Sequence, residues 1–217
     1  MDILLIVACV NLVGLLIAEW HGMQRLRVFT KVLCSACFCV AGTLAIQSAD
    51  AFSILLIAGF GTSFVGDVLL LFRQKRAFLL GLGFFLLAHV FYAAAFGVFG
   101  ADFSVVVPTF LVLALFSLGV LRWLWSSLNG LMRLSVVAYI AAISVMVAMA
   151  IGTKDPLLGC AALSFMVSDL AVARERFVSS SVWNKLWGLP LYFAAQWGFV
   201  FVLFEACSVN AQGKFAG

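Results

Sequence analysis

The chain has 217 residues, of which 65% are hydrophobic and only 10% charged, and its mean hydropathy is +1.20. A soluble domain of this length carries about 25% charged residues, so one water-soluble core is excluded. The formal charge of +4 sits mostly in short segments between apolar runs, where it reads as cytoplasmic loop charge. No basic stretch interleaves with aromatics as a nucleic-acid channel requires, so no nucleic-acid partner is expected.

Apolar runs near 3–20, 29–47, 51–71, 78–99, 103–124, 132–150, 157–173 and 186–206 predict eight membrane-spanning helices, each long enough at 1.5 Å per residue to cross the hydrocarbon. The fold class is therefore all-α, a polytopic membrane protein forming a single domain over 1–217. The first run begins at Ile3 with no basic segment before it and continues into EWHGMQRLR without a small-residue cleavage site, so it reads as a retained span. The loops alternate in charge: HGMQRLR basic, SAD acidic, RQKR basic, GAD acidic, Arg122 and Arg133 basic, Lys154 against Asp155, then Arg174, Arg176 and Lys185 against Glu175. The positive-inside rule places the basic loops in the cytoplasm and both termini outside it, as for an inner-membrane protein of a bacterium. Trp20, Trp123, Trp125, Trp183 and Trp187 lie beside the basic loops, as an interfacial belt would.

Two stretches break the apolar pattern. Ser63-Phe64-Val65-Gly66-Asp67 and Phe165-Met166-Val167-Ser168-Asp169 are alike, and each aspartate is followed by apolar residues and a basic cluster. A tyrosine follows one helix later, Tyr92 in FYAAAF at 25 residues and Tyr192 in LYFAAQW at 23 residues. The aspartates are 102 residues, or four spans, apart, which predicts a parallel internal repeat of four helices. Chance likeness between apolar helices is the plainer alternative.

Ionisable groups in a span are costly and turn toward a protein interior or cavity. Besides the two aspartates, the spans hold His89, with Tyr92 on its next turn, Tyr192 with Gln196 at i+4, Tyr139, Asn11 and Lys31. These could line a shared pocket, although membrane helices also use polar residues to hold one another. The cysteines Cys9, Cys34, Cys37, Cys39 and Cys160 lie within apolar runs, with Cys207 at the edge of the last, and read as small hydrophobes. No nucleotide loop, zinc signature or GxSxG elbow is present, and neither a cofactor nor a metal is expected. Ser63, Ser164 and Ser168 with one internal histidine support a serine hydrolase poorly.

SFVGDVLLL, FLLGLGFFLLAHVFYAAAF, and GCAALSFMVSDLAVARERF followed by LYFAAQW resemble the YhhN family of lysoplasmalogenases over most of the chain, from Ile3 to Phe204. The resemblance implies an integral-membrane ether hydrolase that cleaves the vinyl ether of a lysoplasmalogen to a fatty aldehyde and glycerophosphoethanolamine or glycerophosphocholine. It makes Asp67 and Asp169 the acidic positions, with His89 as catalytic companion and Lys31, Tyr92, Tyr139, Tyr192, Gln196 and Asn11 as substrate-binding candidates. The family commonly opens its second span with Lys-Pro; here Lys31 precedes Val32, so no kink is implied. Plasmalogens are absent from many bacteria, and in a bacterial chain the substrate would be scavenged or be another lysolipid.

Vinyl ether hydrolysis needs an acid to protonate carbon and an anion to stabilise the oxocarbenium ion that results. Two carboxylates in one site supply both, because like charges keep one of them protonated. A lysophospholipid is thus the expected partner, along with membrane lipid, its phosphate meeting one of Lys31, Arg73, Lys75, Arg76, Arg174, Arg176 or Lys185. Two rival classes share the same features: a proton-coupled transporter or lysolipid carrier, for which repeats and buried acids are equally suitable, and an assembly protein whose polar residues only join helices.

Overall fold

The computed structural model describes residues 1–46, 49–72 and 74–215, with side chains through Ser208. Arg73, one of the phosphate candidates, lies outside the described residues. The elements are α1 (Asp2–Trp20), α2 (Gln24–Ala45), α3 (Ala51–Leu69), α4 (Lys75–Phe99), α5 (Phe103–Leu124), α6 (Gly130–Gly152), α7 (Pro156–Ala173) and α8 (Val182–Phe215). A 3-10 turn follows α5 at Trp125–Ser127, and a π turn extends α7 through Arg174–Val178. All eight helices are long and apolar enough to cross a membrane, and no strand occurs among the described residues. The protein is an integral membrane helical bundle.

The acidic residues of the even-numbered loops have a local purpose. Asp50, Asp102 and Asp155 are the N-caps of α3, α5 and α7, accepting hydrogen bonds from the backbone N–H of Ser53, Ser104 and Leu158 at 2.8, 2.9 and 2.9 Å. Each satisfies a donor that the first helical turn leaves unpaired. Asp102 also takes an ion pair from Lys154 at 2.8 Å. That ammonium, and then the Ser104 hydroxyl and N–H, hold its carboxyl below the usual range. Gly100, at φ +115°, ends α4 in the left-handed region, where a side chain would be strained.

The long basic segment expected at 174–185 is shorter than its charge suggests. The π turn carries α7 to Val178, and α8 begins at Val182. Only Ser179, Ser180 and Ser181 lie outside regular helix. Glu175 holds them in place. Its carboxylate accepts from Ser180 Oγ (2.6 Å), Ser181 N (2.7 Å) and Asn184 Nδ2 (2.8 Å).

Packing partners recur under a shift of four helices. α3 lies along α4 as α7 lies along α8; α1 pairs with α2 as α5 pairs with α6; α2 touches α3 and α8 as α6 touches α7 and α4. α1 and α5 stand at the periphery, with Ile3 78% and Leu115 72% exposed to what would be lipid. Phe38, Phe60, Tyr92, Phe96, Phe165 and Phe199 have no exposure at all and fill the centre.

Lipid offers no hydrophobic drive between helices, so close approach of small residues does the joining. Gly59 is the tightest case: a Cβ there would enter the Tyr92 ring, which is itself enclosed by Phe60, Phe96, Phe165 and Phe199. Gly59→Ala is expected to destabilise the bundle by about 1–3 kcal/mol through overpacking. Thermal unfolding in detergent measures this, with Gly61→Ala, where a Cβ meets open space, as the variant that leaves the midpoint near wild type.

Candidate active site

At the end of the bundle where α2, α4 and α8 begin, a cavity of about 570 Å³ is lined by residues of α1, α2, α3, α4, α6, α7 and α8. Asp67 and Asp169 both face it, and so do Lys31, Tyr139 and Tyr192. The two carboxylates have very different surroundings.

Asp67 is 2% exposed and sits in the last turn of α3. A helix C-terminus disfavours an anion, so the position requires compensation from elsewhere. Lys31 of α2 supplies an ammonium 3.1 Å from Oδ1. Ser35, one turn further along the same face of α2, donates to Oδ2 at 2.7 Å, and Tyr192 of α8 donates to it at 2.6 Å. Behind Tyr192 the donors continue in one direction. Gln196 Nε2 donates to Tyr192 Oη at 3.2 Å, and Tyr92 of α4 donates to Gln196 Oε1 at 2.7 Å. Ser63 stands 3.3 Å from Tyr92 Oη. With the Tyr92 proton committed to Gln196, Ser63 is the donor of that pair. The whole chain of hydrogen bonds therefore points at Asp67, and such chains polarise one another.

Asp169 lies further from its helix end, because α7 continues into the π turn. Its side chain is 18% exposed. Oδ2 accepts from Tyr139 of α6 at 2.8 Å. No Lys or Arg lies within 4 Å of it among the described residues; the nearest basic atom is His89 Nε2 at 3.7 Å. His89 has no exposure and neither ring nitrogen has a hydrogen-bond partner. Its ring is held edge-on between Tyr139 and Phe165, at 5.0 and 4.8 Å.

The two lobes correspond. Ser35 and Tyr139 are the hydroxyls from α2 and α6, 104 residues apart; Tyr192 and His89 are the ring partners from α8 and α4, 103 apart; the aspartates are 102 apart. By this register Tyr92 matches Gln196, also 104 apart, and the pairing of Tyr92 with Tyr192 expected from local sequence is replaced. Helix packing sets the register, and FYAAAF and LYFAAQW align by composition alone. Lys31 matches Ser135, which is half-buried and donates to its own helix at Leu131 O. The lysine has no counterpart.

At the mouth, Glu19 receives Lys185 at 2.9 Å and Arg27 Nε at 3.8 Å. Arg176 lies over the Phe78 ring at 4.4 Å, with no carboxylate within 4 Å among the described residues. Of the cations expected near a phosphate, Lys31, Arg176 and Lys185 line the cavity; Lys75, Arg76 and Arg174 do not. Asn11 is also elsewhere: on the first helix, its amide donates to Val7 O at 2.8 Å. His89, Tyr92 and Gln196 sit behind the cavity wall rather than on it. Ser35, Glu19 and Arg27 escaped the sequence reading. Ser35 is recoverable as the i+4 neighbour of Lys31, whereas the Glu19 cluster depends on α1 meeting α8, which no local signal reports.

Breaking the Lys31–Asp67 pair leaves a buried anion without a counter-ion, so Lys31→Met is expected to cost about 3–5 kcal/mol. Lys31→Met with Asp67→Asn should recover most of that loss. A double-mutant cycle by thermal or denaturant unfolding measures it; additive losses would mean the pair is uncoupled.

The profile of the YhhN family matches residues 26–203. Among curated proteins, lysoplasmalogenase TMEM86A of Homo sapiens is 28% identical over 184 residues, covering 78% of this chain and 75% of the human protein. No solved structure matches.

Proposed function

Because the chain belongs to the YhhN family, we propose that it hydrolyses the vinyl ether bond of a lysoplasmalogen, a 1-alkenyl-glycerophosphoethanolamine or -choline, to a fatty aldehyde and glycerophosphoethanolamine or glycerophosphocholine. The observation that carries this reading is the pair of carboxylates on one cavity, one with a counter-ion and one without. The similarity to a human lysoplasmalogenase supports it.

In the proposed reaction Asp169 gives its proton to the β-carbon of the vinyl ether. The π electrons form the new C–H bond, and positive charge develops on the α-carbon and its oxygen. Asp67, held as an anion by Lys31, Ser35 and Tyr192, stabilises that cation at close range and accepts hydrogen bonding from the incoming water. Water adds to the α-carbon and loses a proton, which restores Asp169. The hemiacetal then breaks its C–O bond to the glycerol oxygen, which takes up the hydroxyl proton. Tyr139 orients Asp169, while Tyr192, Gln196 and Tyr92 keep Asp67 in place. The phosphate is assigned to Arg176, the cavity cation with no carboxylate partner, and Lys185. The mouth is assigned to the cytoplasmic face by its basic loops.

The core favours reaction in place over passage. Phe60, Tyr92, Phe96 and Phe165, none of them exposed, occupy the bundle beyond the cavity where a transport path would run.

Asp67→Asn and Asp169→Asn are each expected to lower kcat by ~10²–10⁴, read as fatty aldehyde released from a vinyl-ether lysolipid by purified, folded protein. Turnover within tenfold of wild type in both would defeat the paired-carboxylate mechanism, and recovery of unaltered ligand would indicate a carrier. Arg176→Ala should raise KM with little change in kcat, since a phosphate contact is the same in ground and transition states. A matching loss from Lys75→Ala, which is off the cavity, would point to general surface attraction instead.

A further inference from the structure

A second, smaller cavity of about 70 Å³ lies between α4, α5, α6 and α7. It shares Phe78, Leu82, Tyr139, Val172 and Asp169 with the large one. Asp67 is not part of it. Its remaining wall, including Val120, Ile143 and Met166, is apolar except for Ser117, whose hydroxyl is spent on Ser144 at 2.9 Å. The outer wall is α5, whose main helical neighbour is α6. Phe116 lines the cleft and is 45% exposed, so the cleft opens on the side of the bundle that would face lipid.

From these features we propose that the hydrocarbon chain of the substrate leaves the site sideways through this cleft, a portal to the bilayer, and that Asp169 is the carboxylate set against the first carbons of the chain. The assignment rests on the lysophospholipid reading above. Polar and apolar spaces meet at Asp169 and Tyr139, which is where an amphiphile's headgroup and chain would meet. The vinyl ether is at that junction. The wall from Phe116 to Leu124 runs eight residues, about 12 Å at the helical rise. A volume equal to about two waters cannot house a long chain, so only its first carbons occupy the cleft while the rest stays in lipid. Chain carbons already in hydrocarbon have nothing to gain by being drawn into a closed tunnel. The geometry thus predicts weak discrimination among long chains, together with sensitivity to anything that blocks the opening.

Val120→Trp narrows the cleft from its peripheral wall without touching the large cavity. Against vinyl-ether lysolipids with a four-carbon and a sixteen-carbon chain, this variant should lose at least tenfold in kcat/KM on the long substrate and stay within twofold on the short one. Equal losses on both, in protein that melts like wild type, would overturn the portal. Independently of turnover, a lysophosphatidylcholine carrying a diazirine near the start of its chain should label α5, α6 or α7 of wild-type protein in vesicles. Labelling confined to α1 and α2 would overturn it. Should wild type release no aldehyde from either substrate, the hydrolase reading fails, while the labelling result still decides whether a lipid chain occupies the cleft.

Discussion

A carboxylate buried in a membrane bundle at the wrong end of a helix dipole has to be compensated by groups from other helices. Asp67 is that carboxylate, and much of the bundle is arranged around it. α2 contributes Lys31 and Ser35 from one face, α8 contributes Tyr192, and α4 contributes Tyr92 through Gln196. Each of these donors is itself desolvated and would be costly to leave unmet. Four helices are joined at one atom group, in a medium where apolar contact alone gives helices little reason to choose one another. Glycines let the aromatic members of the network sit deep enough: a Cβ on Gly66 would meet Phe85 at 2.7 Å, and Phe85 packs its ring against Tyr192.

The second half repeats this plan and leaves it incomplete. Tyr139 stands for Ser35 and His89 for Tyr192, but nothing stands for Lys31. Ser135, at that register, spends its hydroxyl on Leu131 O of its own helix. A carboxylate with one phenol, a histidine 3.7 Å away and no ammonium differs in kind from one held by an ion pair and two hydroxyls. The two halves therefore hold their acids in unlike environments, as separate roles for proton donor and fixed anion in the proposed reaction would require. His89, whose ring nitrogens have no hydrogen-bond partner among the described residues, adjoins Asp169 rather than Asp67.

Much of this was legible beforehand because membrane burial makes polar residues rare. With so few charges inside the apolar runs, Asp67, Asp169, His89 and Lys31 stood out individually, and hydropathy located all eight helices, although α2 begins earlier, at Gln24, and α8 runs on to Phe215. What failed to show was anything set by helix rotation and inter-helix register. Asn11 is as rare in its span as Asp67 in its own, yet it turns back on Val7. Tyr92 and Tyr192 look equivalent by their neighbours and are not, since packing aligns Tyr192 with His89. Glu19, at the end of the first predicted span, draws no notice in the sequence, and Glu175 reads as a loop charge. The first ties α1 to α8 through Lys185; the second holds the serine turn beside the mouth. Acidic loops that seemed only to balance the basic ones prove to be N-caps, a role visible in principle because each Asp immediately precedes its apolar run.

Under the proposed reading, the location of the acids at one end of the bundle follows from what an amphiphile can do. A lysolipid keeps its phosphate in the headgroup layer and its chain in hydrocarbon, so the bond between them is already at the depth of an interfacial cavity. Drawing it to the membrane midplane would strip the phosphate of water, and releasing it to the aqueous side would strip the chain of lipid. A site at the interface avoids both, provided that its acid meets the apolar side and its cations the polar side. Asp169 borders the apolar cleft, while Arg176, Lys185 and Arg27 border only the larger cavity. Under the proposed reading, the position of the scissile bond is then set by the partition of the two ends of the substrate between water and lipid. The protein need only hold Asp169 at that level and keep Asp67 within range of the charge that forms.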